Sequence, residues 1–148
     1  LAMGVARIIL GTTVVDDMSF VSGAARSYGD AIIVGIDARD GYVATSGWTR
    51  QSDIRTVELV MRIDDLGIHR FIYTDISRDG TLTEPNFSVM SSIISLTSAK
   101  VICSGGVSSV SDLVKLMEIG AEGTIIGRAL YANEINLVDA IQSVADGH

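Results

Sequence analysis

Residues 100–109 read KVICSGGVSS, and residues 123–130 read GTIIGRAL. In each segment a short apolar run stops at glycine and then continues into sequence of helical character. Glycine at a strand end lets backbone amides approach an anion closely, because no Cβ is in the way. A helix that follows directs its free N–H groups to the same place. We therefore expect two neighbouring parallel strands whose carboxyl ends form a phosphate site.

The same alternation of strand and helix runs through the rest of the chain. Short runs rich in Ile and Val predict strands at 5–10, 31–36, 70–74, 100–104 and 123–126. Helical patterns lie between and after them, at 19–28, 52–66, 86–96, 109–119 and 137–144. Gly67 and Gly120 predict helix ends, and Asn86 predicts an N-cap. This order predicts an α/β fold with a parallel sheet of about five βα units.

Composition narrows the classes of partner. The chain has 148 residues, 47% of them hydrophobic, and a formal net charge of -7. The acidic balance argues against nucleic acid as the main partner, although a local group of amides can still bind a phosphorylated small molecule. No apolar run is long enough for a membrane span, and the first residues lack a signal-peptide pattern. With a single cysteine, we expect a reducing, cytoplasmic location.

Asp37 is the first candidate for catalysis. It follows the predicted strand 31–36, so it lies at the carboxyl end of that strand. If the parallel strands belong to an eight-stranded α/β barrel, this end is its active face. Partial burial of a carboxyl favours its neutral form, which can donate a proton. The alternative is a turn or capping aspartate before the segment 38–41, and the spacing does not separate the two.

Two loops offer further candidates for binding. The segment 74–81, TDISRDGT, places a hydroxyl, two carboxylates and a guanidinium after the third predicted strand. Thr74 could bond a substrate or Asp37, whereas Asp79 could equally form a turn with Gly80. Trp48, the only tryptophan, lies in a polar, glycine-rich loop, where it could stack on a flat heterocycle or anchor the loop on the barrel rim.

The sequence contexts of the cysteine and of the two histidines indicate structural roles rather than chemical ones. Cys103 lies inside a strand run and is more typical of a buried apolar residue than of a nucleophile. The histidines, His69 and His148, are isolated, so we expect no metal site.

Several motifs together resemble one family, the ProFAR isomerases of histidine biosynthesis, which are (β/α)8 barrels. The motifs appear in family order as DARDG at 37–41, GW at 47–48, YTDISRDGT at 73–81, SGGVS at 104–108 and IGRAL at 126–130. The related cyclase of the same pathway shares the phosphate motifs but differs at the ends of the fifth and sixth barrel strands. The isomerase is therefore the better match.

The resemblance implies an Amadori rearrangement of an aminoaldose to an aminoketose, without a cofactor. It assigns the general acid that opens the ribose ring to Asp37, and substrate positioning to Thr74 and Asp79. It assigns the loop residue that covers the imidazole to Trp48. The residues implied to bind phosphate form two groups: Gly105, Gly106, Gly127 and Arg128 in one site, and Gly11 and Thr12 in half of the other.

The resemblance also implies that residues 1–148 form a single domain, the C-terminal part of a barrel that begins near the fourth strand. A complete barrel needs roughly 250 residues. We therefore expect the general base, which belongs to the first barrel strand, to lie outside this sequence. We expect the full-length family member to be monomeric, and the isolated chain to associate through unpaired strand edges near Ile8 and Ile125.

Two alternatives to the isomerase remain open at this point. The chain could be a catalytically incomplete half-barrel that binds phosphate. It could also belong to a dual isomerase that accepts phosphoribosylanthranilate from tryptophan biosynthesis, and nothing in the sequence separates that activity from the first.

Overall fold

The computed structural model describes residues 1–145. Their elements in chain order are β1 (Ile8–Leu10), α1 (Thr13–Asp16), α2 (Met18–Tyr28), a 3-10 turn (Gly29–Ala31), β2 (Ile32–Arg39), β3 (Tyr42–Thr45), β4 (Arg50–Arg55), α3 (Thr56–Asp65), β5 (Arg70–Asp75), α4 (Phe87–Ser95), β6 (Lys100–Ser104), α5 (Val110–Glu118), β7 (Gly123–Ile125), α6 (Arg128–Tyr131) and α7 (Leu137–Ala145). No helix in this part of the chain is long and apolar enough to cross a membrane.

The sheet confirms the predicted α/β class. Five strands are parallel, in the spatial order β1-β2-β5-β6-β7, as expected for βα units joined by crossovers. Within the described residues the sheet stays open, because β1 and β7 each pair on one side only. Ile9 and Ile125, on these outer strands, are 57% and 43% exposed.

The helices cover one face of this sheet. The core joins alternate strand residues, such as Ile36, Phe71 and Cys103, to helix residues such as Leu59 and Leu116. All five are buried. The remaining strand residues face the opposite side of the sheet.

Local signals set one helix start and two helix ends as predicted. The Asn86 side chain accepts a hydrogen bond from the Val89 amide and caps α4. Gly67 and Gly120 follow α3 and α5 with φ of +73° and +95°. Each ends its helix with the paired backbone bonds of a Schellman motif.

The prediction of strict βα alternation is wrong after β2. The chain turns at Asp40 and Gly41, both with positive φ, and returns as β3 antiparallel to β2. β4 then pairs antiparallel with β3 and occupies residues 50–55, of which 52–55 were predicted to be helical. The predicted loop around Trp48 is therefore the tip of a β-hairpin. Hairpin pairing prevailed because cross-strand bonds satisfy this backbone before the helical pattern begins at Thr56.

An ion pair joins three strands at the amino-terminal edge of the sheet. Arg70, at the start of β5, donates from Nε and Nη2 to the two carboxylate oxygens of Glu122, both at 2.5 Å. Lys100, at the start of β6, lies 3.6 Å from the same carboxylate. These bonds hold the pKa of Glu122 below its usual value. In a barrel, this edge contributes to stability and the opposite edge carries function.

Candidate functional site

The carboxyl ends of the parallel strands bring one row of polar side chains together. Asp37 of β2 pairs in register with Thr74 of β5, which pairs with Ser104 of β6. Residues in register on parallel strands project to the same face. That face is the one opposite the helices, because Ile36 and Tyr73, the neighbours of this row along β2 and β5, belong to the core. Asp37 lies inside β2 rather than after its end, since pairing with β3 extends the strand to Arg39.

Asp37 and Thr74 keep their side-chain hydrogen-bonding groups free. Asp37 is half-buried, and Thr74 is buried. Among the hydrogen bonds of residues 1–145, none involves the Asp37 carboxylate or the Thr74 hydroxyl. Thr74 was expected to bond either a substrate or Asp37, and the structure shows no hydrogen bond between Thr74 and Asp37. A partly buried acid without an internal partner is available to a bound substrate.

Two glycines after β6 bring the backbone of three elements close together. Gly105 has φ of +98°, and a Cβ there would meet the backbone of Asp75 at the end of β5. Gly106 has φ of +86°, and its Cβ would lie 2.7 Å from the carbonyl oxygen of Glu84. The amides of Gly105 and Gly106 donate to no acceptor within the described residues. This loop therefore presents free N–H groups at the same edge as Asp37.

The loop after β7 completes a small cleft beside these glycines. Arg128 donates from Nη1 to the carbonyl oxygen of Gly80 at 2.7 Å, which places its guanidinium against the loop after β5. Asp79 lies on the same loop and is exposed. The cleft is lined by Asp79, Gly80, Leu82, Ser104, Gly105, Gly106, Val107, Ile125, Gly127 and Arg128. The structure thus brings together all four residues predicted for one phosphate site, with Asp79 beside them.

Asp112 stabilises the segment that follows the glycine loop, through hydrogen bonds from Ser108 and Ser109. Its Oδ2 accepts hydrogen bonds from the Ser108 amide, the Ser108 hydroxyl and the Ser109 amide, each at 3.0 Å. Ser109 caps α5 and forms a reciprocal capping box with Asp112, which is only 4% exposed. Asp112 was not among the predicted site residues, although the spacing of Ser109 and Asp112 is a capping-box signal.

Gly11, Thr12 and Trp48 lie on the other side of Asp37. Gly11 follows β1 and is exposed, with open space where a Cβ would stand. The Thr12 hydroxyl accepts a hydrogen bond from the Ser46 amide at 3.2 Å, a contact that sequence spacing gave no means of finding. Trp48 is 40% exposed at the tip of the β3–β4 hairpin, with φ of +71°. Its indole is therefore displayed at the rim rather than packed in the core.

The remaining candidates have structural roles. Cys103 is fully buried, and burial raises the pKa of its thiol to about 12, so it stays protonated and unreactive, as expected. Asp75 is buried and accepts the Ser77 amide at 3.0 Å within a turn. Among residues 1–145, no three His, Cys, Asp or Glu side chains lie close enough together to hold a metal ion.

Comparison with known proteins agrees with the resemblance. The family model described as "Histidine biosynthesis protein" matches residues 1–136. A relative from Dehalococcoides mccartyi (strain CBDB1) is 49% identical over 145 residues, which cover 98% of this chain and 59% of the relative. A relative from Herpetosiphon aurantiacus is 46% identical over 98% of this chain and 60% of its own length, and one from Roseiflexus sp. (strain RS-1) is 44% identical over 97% and 61%.

All three relatives are named as isomerases of an imidazole-4-carboxamide that bears two phosphoribosyl groups, the compound called ProFAR above. This chain spans about three fifths of their length. The match extends from the β1 edge through the cleft at Gly105 and Arg128. On this likeness, and with its parallel sheet of βα units, the chain belongs to the histidine biosynthesis protein family of TIM-barrel type.

Proposed function

We propose that this chain supplies the general acid and one phosphate site of a ProFAR isomerase, on the C-terminal part of a barrel that begins near the fourth strand. The observation that carries the proposal is the in-register row of Asp37, Thr74 and Ser104, which ends beside the Gly105–Gly106 loop and Arg128. An acid and an anion cleft on one edge suit a phosphorylated sugar. The names of the relatives support the choice of ProFAR as the substrate.

The proposed reaction begins with opening of the ribose ring. Asp37 gives its proton to the ring oxygen while the bond from that oxygen to C1 breaks, and the lone pair of the exocyclic nitrogen forms a C1=N bond. A base then removes the C2 proton, and the electron pair moves toward nitrogen to give an enolamine. Tautomerisation yields the C2 ketone. In this proposal the base comes from the first barrel strand and not from residues 1–148.

Thr74, Trp48 and the phosphate groups position the substrate for these steps. Thr74 has a free hydroxyl next to Asp37, so it can bond a sugar oxygen adjacent to the proton that moves. Trp48, exposed at the hairpin tip, can stack on the imidazole. One phosphate lies at Gly105, Gly106, Gly127 and Arg128, where Asp79 helps to orient the sugar, and the other lies near Gly11 and Thr12. The reaction needs no cofactor, because the substrate nitrogen accepts the electron pair.

Asp37→Asn in a full-length isomerase that contains this chain tests the proposal. Asn keeps the shape but has no acidic proton, so kcat falls by about 10²- to 10⁴-fold while KM stays within a few-fold. Asp40→Asn is the matched control, because Asp40 is exposed at the hairpin turn and Asn tolerates its positive φ. Residual turnover of Asp37→Asn close to that of Asp40→Asn would remove Asp37 from the role of acid.

The half-barrel that binds phosphate without catalysis is a second candidate. One observation favours it: the cleft contains the free amides of Gly105 and Gly106 and the guanidinium of Arg128. These groups can bind an anion whether or not a catalytic base is present. Calorimetry of residues 1–148 with inorganic phosphate, together with an isomerase assay of the same sample, separates the two. Turnover by these residues alone would exclude the non-catalytic reading.

A further inference from the structure

The hydrogen bond between Ser46 and Thr12 joins two parts of the site that lie 34 residues apart in the chain. β1 runs parallel to β2 and pairs with residues 32–34, whereas β3 runs antiparallel and pairs with residues 37–39 on the same edge. The carboxyl ends of β1 and β3 therefore point at each other along β2. Thr12 follows one end and Ser46 follows the other, so their meeting is a direct result of the topology.

Thr12 uses its hydroxyl in an unusual way for its position. It is the N-cap residue of α1, where a threonine oxygen commonly accepts an amide from the first turn of its own helix. Here that bond is not made, and Oγ1 accepts the Ser46 amide instead. A hydroxyl that accepts one N–H still has its own proton to donate. Within residues 1–145, no acceptor takes that proton.

The loop that Thr12 holds, residues 46–49, closes the β3–β4 hairpin beyond its last strand pair, Thr45 with Arg50. Ser46, Gly47 and Trp48 are consecutive, exposed and all of positive φ. Thr49 bonds only back to the Ser46 carbonyl, through its amide and its hydroxyl. In the described part of the chain, the bond to Thr12 is the single hydrogen bond that ties residues 46–49 to another element. The Thr12 hydroxyl therefore helps to fix the loop that carries Trp48.

We propose that Thr12 is a positioning residue that couples a phosphate bound at the end of β1 to the Trp48 loop, an inference that rests on the function proposed above. The Ser46 N–H donates to Oγ1 of Thr12, and the Thr12 O–H donates to a phosphate oxygen. Each bond polarises the other, so the anion strengthens the attachment of Ser46. A ligand with phosphate at this end fixes Trp48 over the site, and a ligand without it leaves the loop loosely held.

The coupling is tested with Thr12→Val, which keeps the shape but removes the hydroxyl, and Thr12→Ser, which restores it. Without ligand, we expect the Ser46 amide to exchange with solvent about 2- to 10-fold faster in Thr12→Val, the loss of one ordinary hydrogen bond. Thr12→Ser should behave as the parent chain does. Equal exchange in the two variants, both with native circular dichroism, would overturn the proposal.

The second measurement uses Trp48 as the only tryptophan of the chain. With saturating inorganic phosphate and ionic strength held constant with chloride, we expect Ser46 exchange to slow about five-fold and acrylamide quenching of Trp48 to fall. The response should persist in Arg128→Met, which disables the other anion cleft, and in Thr12→Ser, and it should disappear in Thr12→Val.

The results separate this inference from the function on which it rests. If phosphate binds and Trp48 responds equally in the parent chain and in Thr12→Val, the coupling is wrong, whereas the phosphate sites remain. If neither calorimetry nor Trp48 detects phosphate in the parent chain, the phosphate sites fail and the coupling fails with them.

Discussion

Replacement of Gly105 by alanine tests how closely the end of β6 approaches β5. An alanine Cβ at this position would lie against the backbone of Asp75, with the carbonyl carbon at 3.1 Å and the carbonyl oxygen closer still. Backbone cannot move aside as a flexible side chain can, so the two strand ends must separate. The residue also has φ of +98°, which an L-amino acid adopts only with strain.

Gly120→Ala separates these two costs. Gly120 has nearly the same φ, +95°, but its Cβ would meet only the Ile94 side chain, at 3.4 Å. We expect Gly120→Ala to lower the free energy of unfolding by about 1–2 kcal/mol, from strain alone. Gly105→Ala should add about 1–3 kcal/mol for the forced displacement of backbone. Its total of roughly 2–5 kcal/mol is a large part of the stability of a typical domain.

Urea unfolding of the two variants and the parent chain, followed by circular dichroism, measures the difference. The slope against urea must stay constant for the midpoints to report stability. Gly105→Ala should also weaken phosphate binding, since the loop amides move with the strand end. If the two variants unfold within about 0.5 kcal/mol of each other, the close approach of Gly105 to Asp75 is wrong.

Three other changes test separate parts of the structure. Asp112→Ala should lower the free energy of unfolding by about 1–3 kcal/mol in a urea titration, because it leaves three partly buried donors without their acceptor. Asp139→Ala, at an exposed aspartate in the first turn of α7, should cost less than about 1 kcal/mol. Glu122→Gln should destabilise the chain at pH 7. The pKa of Glu122 is lowered in the folded state, so its contribution to stability is present above the ordinary glutamate pKa of about 4.3 and is lost as the pH falls further. The difference in urea midpoint between the variant and the parent chain should therefore narrow from pH 5 to pH 3. A constant difference would contradict the ion-pair assignment. Ile125→Lys, on the open edge of β7, should reduce concentration-dependent association in light scattering, and a monodisperse parent chain at high concentration would refute association through that edge.

Part of the site could be read from the sequence because its signals are local. The runs that end at Gly105 and Gly127 predicted strand ends, and the parallel sheet placed those ends at one edge. Asp37 was predicted at the same edge from its place after an apolar run. These inferences needed only the spacing of apolar residues along the chain and the rule that the carboxyl ends of parallel strands lie at the same edge of a sheet. The catalytic and binding roles of these residues stay predictions.

The β3–β4 hairpin shows where local reasoning failed. No strand was predicted within residues 42–55, because Tyr42–Thr45 and Arg50–Arg55 are stabilised mainly by each other and by β2. Pairing energy of this kind depends on register with a distant strand, which a single window of sequence does not contain.

The sequence by itself determined the α/β class, the helix stops at Gly67 and Gly120, and the glycine loops that could hold an anion, since each depends on bonding within a few residues. Only the tertiary structure decided that Thr12 receives the Ser46 amide, because β1 and β3 had to share one edge of β2 before these residues could meet. A hydrogen bond between residues 34 apart is set by the register of three strands, and no periodicity in the chain encodes it.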